Sequence, residues 1–209
     1  MKGVFMAEAD DTARLKLQPS RSSQEEIASF AEEISMRLRE RNVFDTLRSL
    51  LDQPEKFAEF EVASISLAES EENDRLLSRE GKAKGVLYRQ TGNDRNFTIF
   101  LNPPCSIFQL NKTIALLLSN CLLHVDVEDL PDGEYFLNAG NVDDLVRQQS
   151  TVFSEAFLFP RPLVEEYVHS HHMSPAGVAS LLGTNLSDYK SAPARELIQA
   201  LAVPQLLAS

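Results

Sequence analysis

The sequence predicts an α+β fold, mostly helical, with a small antiparallel sheet of about three strands. Three observations predict it. Several segments repeat apolar residues at intervals of three and four, the spacing of an amphipathic helix. Two short runs, residues 86–90 and 96–101, flank a TGNDR segment whose Gly92, Asn93 and Asp94 are turn formers, so they pair as a hairpin. A chain of 209 residues, 43% of them hydrophobic, suits one core of moderate size with appended helices.

Taken in order, residues 1–21 mix acids, proline and serine without periodicity and are expected to form a flexible arm. Ser22 with Glu25 makes a capping box that opens a helix. Ile27, Phe30, Ala31, Ile34 and Leu38 then form its apolar stripe. Arg37, Arg39 and Arg41 put cations at its end, where the helix dipole favours them. A short second helix over 44–52 stops before Pro54. Residues 60–67 read as a half-buried strand, and the charged stretch 69–84 as a loop. After the hairpin, Pro103 and Pro104 end its second strand and a helix opens near Ile107.

An acidic loop follows over 126–140. Its five acids, Asp126, Glu128, Asp129, Asp132 and Glu134, match no EF-hand spacing and read as a solvated loop rather than a Ca²⁺ site. A long helix is expected over 142–159, then Pro160 and Pro162 as punctuation, then a helix over 163–171. Ser174-Pro175 starts another helix carrying Val178, Ala179 and Leu182, and a further helix runs to about Ala202. The Ala179-to-Gly183 spacing suits two closely crossing helices, as in a helix-turn-helix. Residues 160–209 hold three cations (Arg161, Lys190, Arg195) against four acids (Glu165, Glu166, Asp188, Glu196), a poor balance for gripping phosphates. The pair therefore reads as structural, with DNA binding the less favoured alternative.

Charge and composition narrow the function classes. A net charge of −11 opposes sequence-independent nucleic-acid binding. The longest apolar run, 116–127, is broken by Ser119, Asn120 and His124 and is too short for a bilayer. Residues 1–11 lack the apolar core of a secretory signal, and Cys105 and Cys121 fit reduced thiols, so a cytoplasmic location is expected.

Candidate chemistry concentrates on the helix over 111–124, NKTIALLLSNCLLH. It follows the strand-like FTIFLNPP at 97–104 and precedes FSEAFLFPRPLVEEYV at 153–168. This order resembles the core of the ImmA/IrrE-type metallopeptidases: an extended strand, a helix of the form TLAHELGHxLLH, and a second helix of the form ExxANxFAAxLLMP. The resemblance covers residues 84–183. In such zincins two histidines at i and i+4 reach one Zn²⁺, and the glutamate after the first acts as general base. Aligning on the terminal LLH puts the histidine positions at Leu116 and Asn120 and the base at Leu117. Aligning FSEAFLFP on FAAxLLMP puts the third ligand at Gln149. None of the four is His, Cys, Asp or Glu, and amide oxygens hold Zn²⁺ poorly without better donors beside them.

The resemblance thus implies a zincin-like pseudo-metallopeptidase domain over 22–183, after the arm and before a C-terminal helical extension over 184–209. It implies no cofactor and no bound metal. It also implies a protein partner, a helix-turn-helix repressor among the candidates, in a regulatory role linked to a mobile element, phage or stress response. Phe97, Ile99, Leu101, Asn102 and His124 are expected to line the groove that receives it, by strand addition at the hairpin's edge.

Other readings stand beside this one. Ile114, Leu117, Leu118 and Cys121 recur at helical spacing and suit a plain buried helix. An active metallopeptidase with displaced ligands would need His124, one of His169, His171 or His172, and Glu155 to converge. Cys121 with His124 at i+3 is a conceivable nucleophile and base, although a core cysteine is the simpler account. The HxHH at 169–172 reads as an exposed helix end rather than a metal site.

Overall fold

A computed structural model describes residues 21–39, 47, 51, 64–68, 85–89, 96–101, 106–125, 135–138 and 144–206. Residues 1–20 of the expected arm, Arg41, the hairpin turn, Asn102, Cys105 and the acidic residues of 126–134 lie outside the described residues.

Helix α1, Gln24–Leu38, buries every member of its predicted stripe. Its capping box sits one residue later than expected. Ser23 Oγ accepts from Glu26 N at 3.2 Å, and Glu26 Oε2 accepts from Ser23 N at 2.7 Å. Both Ser22 and Ser23 have a glutamate three residues on, so the local chemistry does not choose between them. Arg39 ends the helix buried, its Nε donating to Ser35 Oγ, while Ser35 Oγ donates to the carbonyl of Phe157. Leu47 and Leu51 are helical and buried, as the second short helix required.

Strands β1 (Ser64–Ala68), β2 (Gly85–Arg89), β3 (Asn96–Leu101) and β4 (Tyr135–Asn138) form one sheet in the order β1-β3-β2-β4. The hairpin is as predicted: β2 and β3 are antiparallel, with Leu87 opposite Ile99. Two features of the sheet were not anticipated. β1 lies parallel to β3, because alternation in a sequence announces a strand but not its neighbour. β4 falls where a loop was expected. Tyr135 and Phe136 are strand formers, but the acids before them masked the signal.

Helix α2, Ile107–Ser119, begins at Ser106, whose Oγ accepts from Gln109 N. It packs on the sheet through Gly85. A Cβ added there would lie 2.8 Å from Thr113 Cγ2 and 3.0 Å from both Leu117 Cδ1 and the Phe100 carbonyl oxygen. Gly85→Ala is therefore expected to push helix from sheet and destabilise the fold by about 1–3 kcal/mol. Unchanged stability in urea titration would show that the helix does not need this close approach.

The remaining helices are α3 (Asp144–Leu158), α4 (Arg161–His169), α5 (Pro175–Leu181) and α6 (Ala192–Leu206). A first cluster joins α1, the sheet, α2 and α3, with Phe153 stacked on Phe157 at 5.9 Å and edge-on to Phe30 at 6.2 Å. A second gathers side chains from Phe159 to Leu201, around the edge-on contact of Phe159 with Tyr189. Tyr189 OH shares a 2.8 Å hydrogen bond with Thr184 Oγ1. Among the described residues no helix is long and apolar enough to cross a membrane.

A carboxylate ties α1 to the start of α4: Glu32 Oε1 accepts from Arg161 N at 3.3 Å. Burial raises the Glu32 pKa above the ordinary glutamate range, with Glu165 adding to the rise, while the Arg161 N–H and guanidinium pull it down. The folded state thus holds this proton more tightly than the unfolded chain. Its contribution to stability is fullest in acid and falls as pH rises from the ordinary range through the raised value. Glu32→Gln keeps an acceptor for Arg161 N. It should match or exceed the parent's stability at neutral pH and lose that advantage in acid. Unfolding midpoints measured across that range check this, and a less stable variant with an unchanged pH slope would refute it.

Candidate functional site

Of the degenerate ligand positions, Leu116 and Leu117 lie on α2, Asn120 follows at its end, and Gln149 lies on α3. The end of α2 widens into a single π-turn, Asn120–His124, in which Val125 N donates to the Asn120 carbonyl at 3.1 Å. Such turns are rare and are found disproportionately at functional sites. Leu116 is half-buried, and Leu117 is wholly buried against Gly85. Asn120 is 1% exposed. Its side-chain oxygen accepts a 2.7 Å hydrogen bond from Ser150 Oγ on α3, one residue past Gln149, which is also buried. The two helices therefore bring Asn120 and Ser150 to facing positions, and a neutral hydrogen bond joins them.

Ser150 was not singled out from the sequence, although a signal existed. Gln149, Ser150, Ser154 and Glu155 recur along α3 with Val152, Phe153, Ala156 and Phe157, and all are buried. Polar side chains on a helix's buried face must find partners there. Ser154 bonds back to the Thr151 carbonyl, and Glu155 reaches the second cluster.

The expected groove needs correction. Phe97, Ile99 and Leu101 lie on β3, which is paired on one side with β1 and on the other with β2. All three are at most 1% exposed and belong to the first core cluster. Strand addition cannot occur at a strand already paired on both sides, so these residues are packing rather than lining. The hairpin has no free edge, because β4 covers β2. Among the described strands the sheet's edges are β1 and β4. His124 is half-buried at the end of the π-turn.

Cys121 is 1% exposed, and burial pushes its thiol well above the ordinary range, which disfavours the thiolate a nucleophile requires. Glu155 is committed elsewhere: its two carboxyl oxygens accept from Lys190 N and Ser191 N, each at 2.9 Å. His169, His171 and His172 are exposed at the end of α4, with His171 stacked on Tyr167 at 4.8 Å and His172 at φ 54°. Among the described residues no three of His, Cys, Asp and Glu gather as a metal site would need.

The α5–α6 pair is not joined by a tight turn. Residues 183–191, with a 3₁₀ turn at Leu186–Asp188, separate the two helices, where a helix-turn-helix uses three or four. Gly183 instead closes α5 at φ 66°, and Asn111 on α2 donates through Nδ2 to its carbonyl at 2.9 Å. Comparison of the chain with family profiles, with curated proteins and with solved structures returns no match.

Proposed function

We propose that the chain is a non-catalytic ImmA/IrrE-like protein that acts in the cytoplasm by binding a protein partner, a helix-turn-helix regulator. Its role is regulatory, linked to a mobile element, phage or stress response. The observation that carries the reading is the buried hydrogen bond between Ser150 and Asn120. It joins Asn120, one of the ligand positions the resemblance expects, to Ser150, the chain neighbour of Gln149 at another, and neither an amide nor a neutral hydroxyl binds Zn²⁺ well or activates water. Leu117, at the position of the general base, is fully buried and cannot transfer a proton.

Two measurements test separate parts of this. The triple variant Leu116→His, Asn120→His, Gln149→Glu restores a ligand set at the three positions. It is expected to bind about one zinc per chain, the complement of an all-protein zincin site, whereas the parent retains none after dialysis. A variant that stays folded by circular dichroism yet takes up no stoichiometric zinc would sink the zincin-like alignment. Mixing the native protein with helix-turn-helix regulators from the same genome tests the function. The expected result is a stable complex on size-exclusion chromatography with the regulator intact. Cleavage of the regulator would refute the non-catalytic reading, and the absence of any complex would refute the partner.

A further inference from the structure

A second concave region lies away from the α2–α3 junction. It is a groove of about 590 Å³ bounded by the start of α1, the first half of α3 and the start of α6. That volume is within the range of small-molecule sites. Helix α3 presents Arg147, Gln148 and Thr151 to it, and α6 presents Arg195 and Gln199, each set at one helical face. Lys190 joins them from the segment before α6, and Val152 is a buried apolar member of the lining.

The chain carries −11 overall, yet three cations from two helices and a connecting segment converge on one groove. Two acids share the lining. Asp144 is tied to Arg147 at 3.0 Å on the exposed rim, and Glu196 is exposed on α6. Lys190 and Arg195 form no ion pair with any described residue. The first turn of α6 opens on the same groove through Ser191 and Ala192, so the positive end of its dipole adds to the three cations. Glu155 offsets part of this from the buried side, where it holds the N–H groups of Lys190 and Ser191.

The geometry points to a binding site for a phosphorylated small molecule of about nucleotide size. Two guanidinium groups can grip phosphate oxygens bidentately and an ammonium adds a point charge, while the Gln148 and Gln199 amides and Thr151 hydroxyl suit a polar body. The overall negative charge selects the size of the ligand. A nucleic acid would meet repulsion over its whole length, whereas a compact anion meets only the local cations. This site is independent of the proposed partner-binding role.

Calorimetric titration at low salt with ADP, pyrophosphate, adenosine and a single-stranded oligonucleotide tests it. ADP or pyrophosphate is expected to bind saturably with a Kd below about 1 mM, and adenosine not at all. Equal affinity for the two would assign the site to phosphate alone, and tighter ADP binding to a nucleotide; both support the proposal. Lys190→Ala combined with Arg195→Ala should weaken binding about tenfold or more, while Arg37→Ala, on the far end of α1, leaves it unchanged. Lys190 and Arg195 are both exposed, so the unfolding midpoint of their double variant should match the parent's. The proposal is overturned by the absence of saturable binding in that range. An equal loss in Arg37→Ala, or oligonucleotide binding without ADP binding, would overturn it too.

Discussion

Gly183→Ala is expected to cost about 2–4 kcal/mol, a sum of two penalties that a double-mutant cycle can separate. Gly183 follows α5 in the left-handed region at φ 66°. Thr184 N donates to the Ala179 carbonyl at 2.9 Å and Gly183 N to the Ser180 carbonyl at 3.1 Å, the paired bonds of a Schellman closure. An alanine at that φ is strained by about 1–2 kcal/mol, partly offset by the lower entropy of its unfolded chain. The second penalty is steric. The new Cβ would lie 2.5 Å from Asn111 Nδ2, which now donates to the Gly183 carbonyl, so Asn111 must leave. That bond fastens α2 to the second cluster, and its loss exposes the seam between the two cores. Asn111→Ala alone should cost about 1 kcal/mol. In the Asn111→Ala background, Gly183→Ala should cost only the backbone strain. Urea denaturation of the four proteins decides it: strictly additive costs would show that the contact with Asn111 contributes nothing.

Much of this architecture was legible because local chemistry encoded it without reference to partners. The α1 stripe, the hairpin with its turn formers and the Ser174-Pro175 start all rest on spacing or on a single residue's geometry. What escaped the sequence depended on neighbours far along the chain. Nothing in residues 64–68 announces a parallel partner at 96–100. The burial of Phe97, Ile99 and Leu101 follows from the helices of the first cluster covering that face of the sheet, and pairing with β1 makes β3 a central strand rather than an edge. The helix of greatest interest shows the same division. Its apolar face was plain in the sequence, whereas its π-turn and the Ser150 partner of Asn120 exist only once α3 is in place.

The reading proposed above requires a metal-binding scaffold to lose its ligands and keep its shape. A metal site holds facing helices together through strong bonds, and removing the ligands leaves buried positions that still need partners. On the proposed zincin-like reading Leu116, Leu117 and Asn120 stand at such positions: Leu117 is buried, Leu116 half-buried, and Asn120 accepts from Ser150. Ser150→Ala would leave the Asn120 oxygen buried without this donor, at a cost of about 1–3 kcal/mol. Replacing both, as Asn120→Leu with Ser150→Ala, should recover much of that loss, since an apolar pair demands no partner.

Glu155→Ala is expected to be the most damaging single substitution among the polar residues, at about 3–5 kcal/mol. Glu155 is 2% exposed in the last turns of α3 among the buried Val152, Phe153, Ala156 and Phe157, yet its carboxylate is anchored at the start of α6. Its two oxygens accept from the N–H groups of Lys190 and Ser191, the residues immediately before α6. A helix start has orphan donors that its own N-cap can only partly satisfy. Ser191 Oγ already takes the N–H of Ala194 at 3.4 Å, so the two preceding donors depend on Glu155. Alanine would leave both without an acceptor and open a cavity between the clusters. Glu155→Gln supplies only one acceptor and turns an NH₂ group toward an N–H, so it should cost less than alanine but remain clearly destabilising, by about 2 kcal/mol. The damage should be local first. Amide hydrogen exchange is expected to quicken over 190–201 before it changes in α1 or the sheet, because α6 loses its attachment while the first core keeps its packing. Exchange that quickens uniformly, or a variant as stable as the parent, would show that α6 is held by its apolar contacts alone.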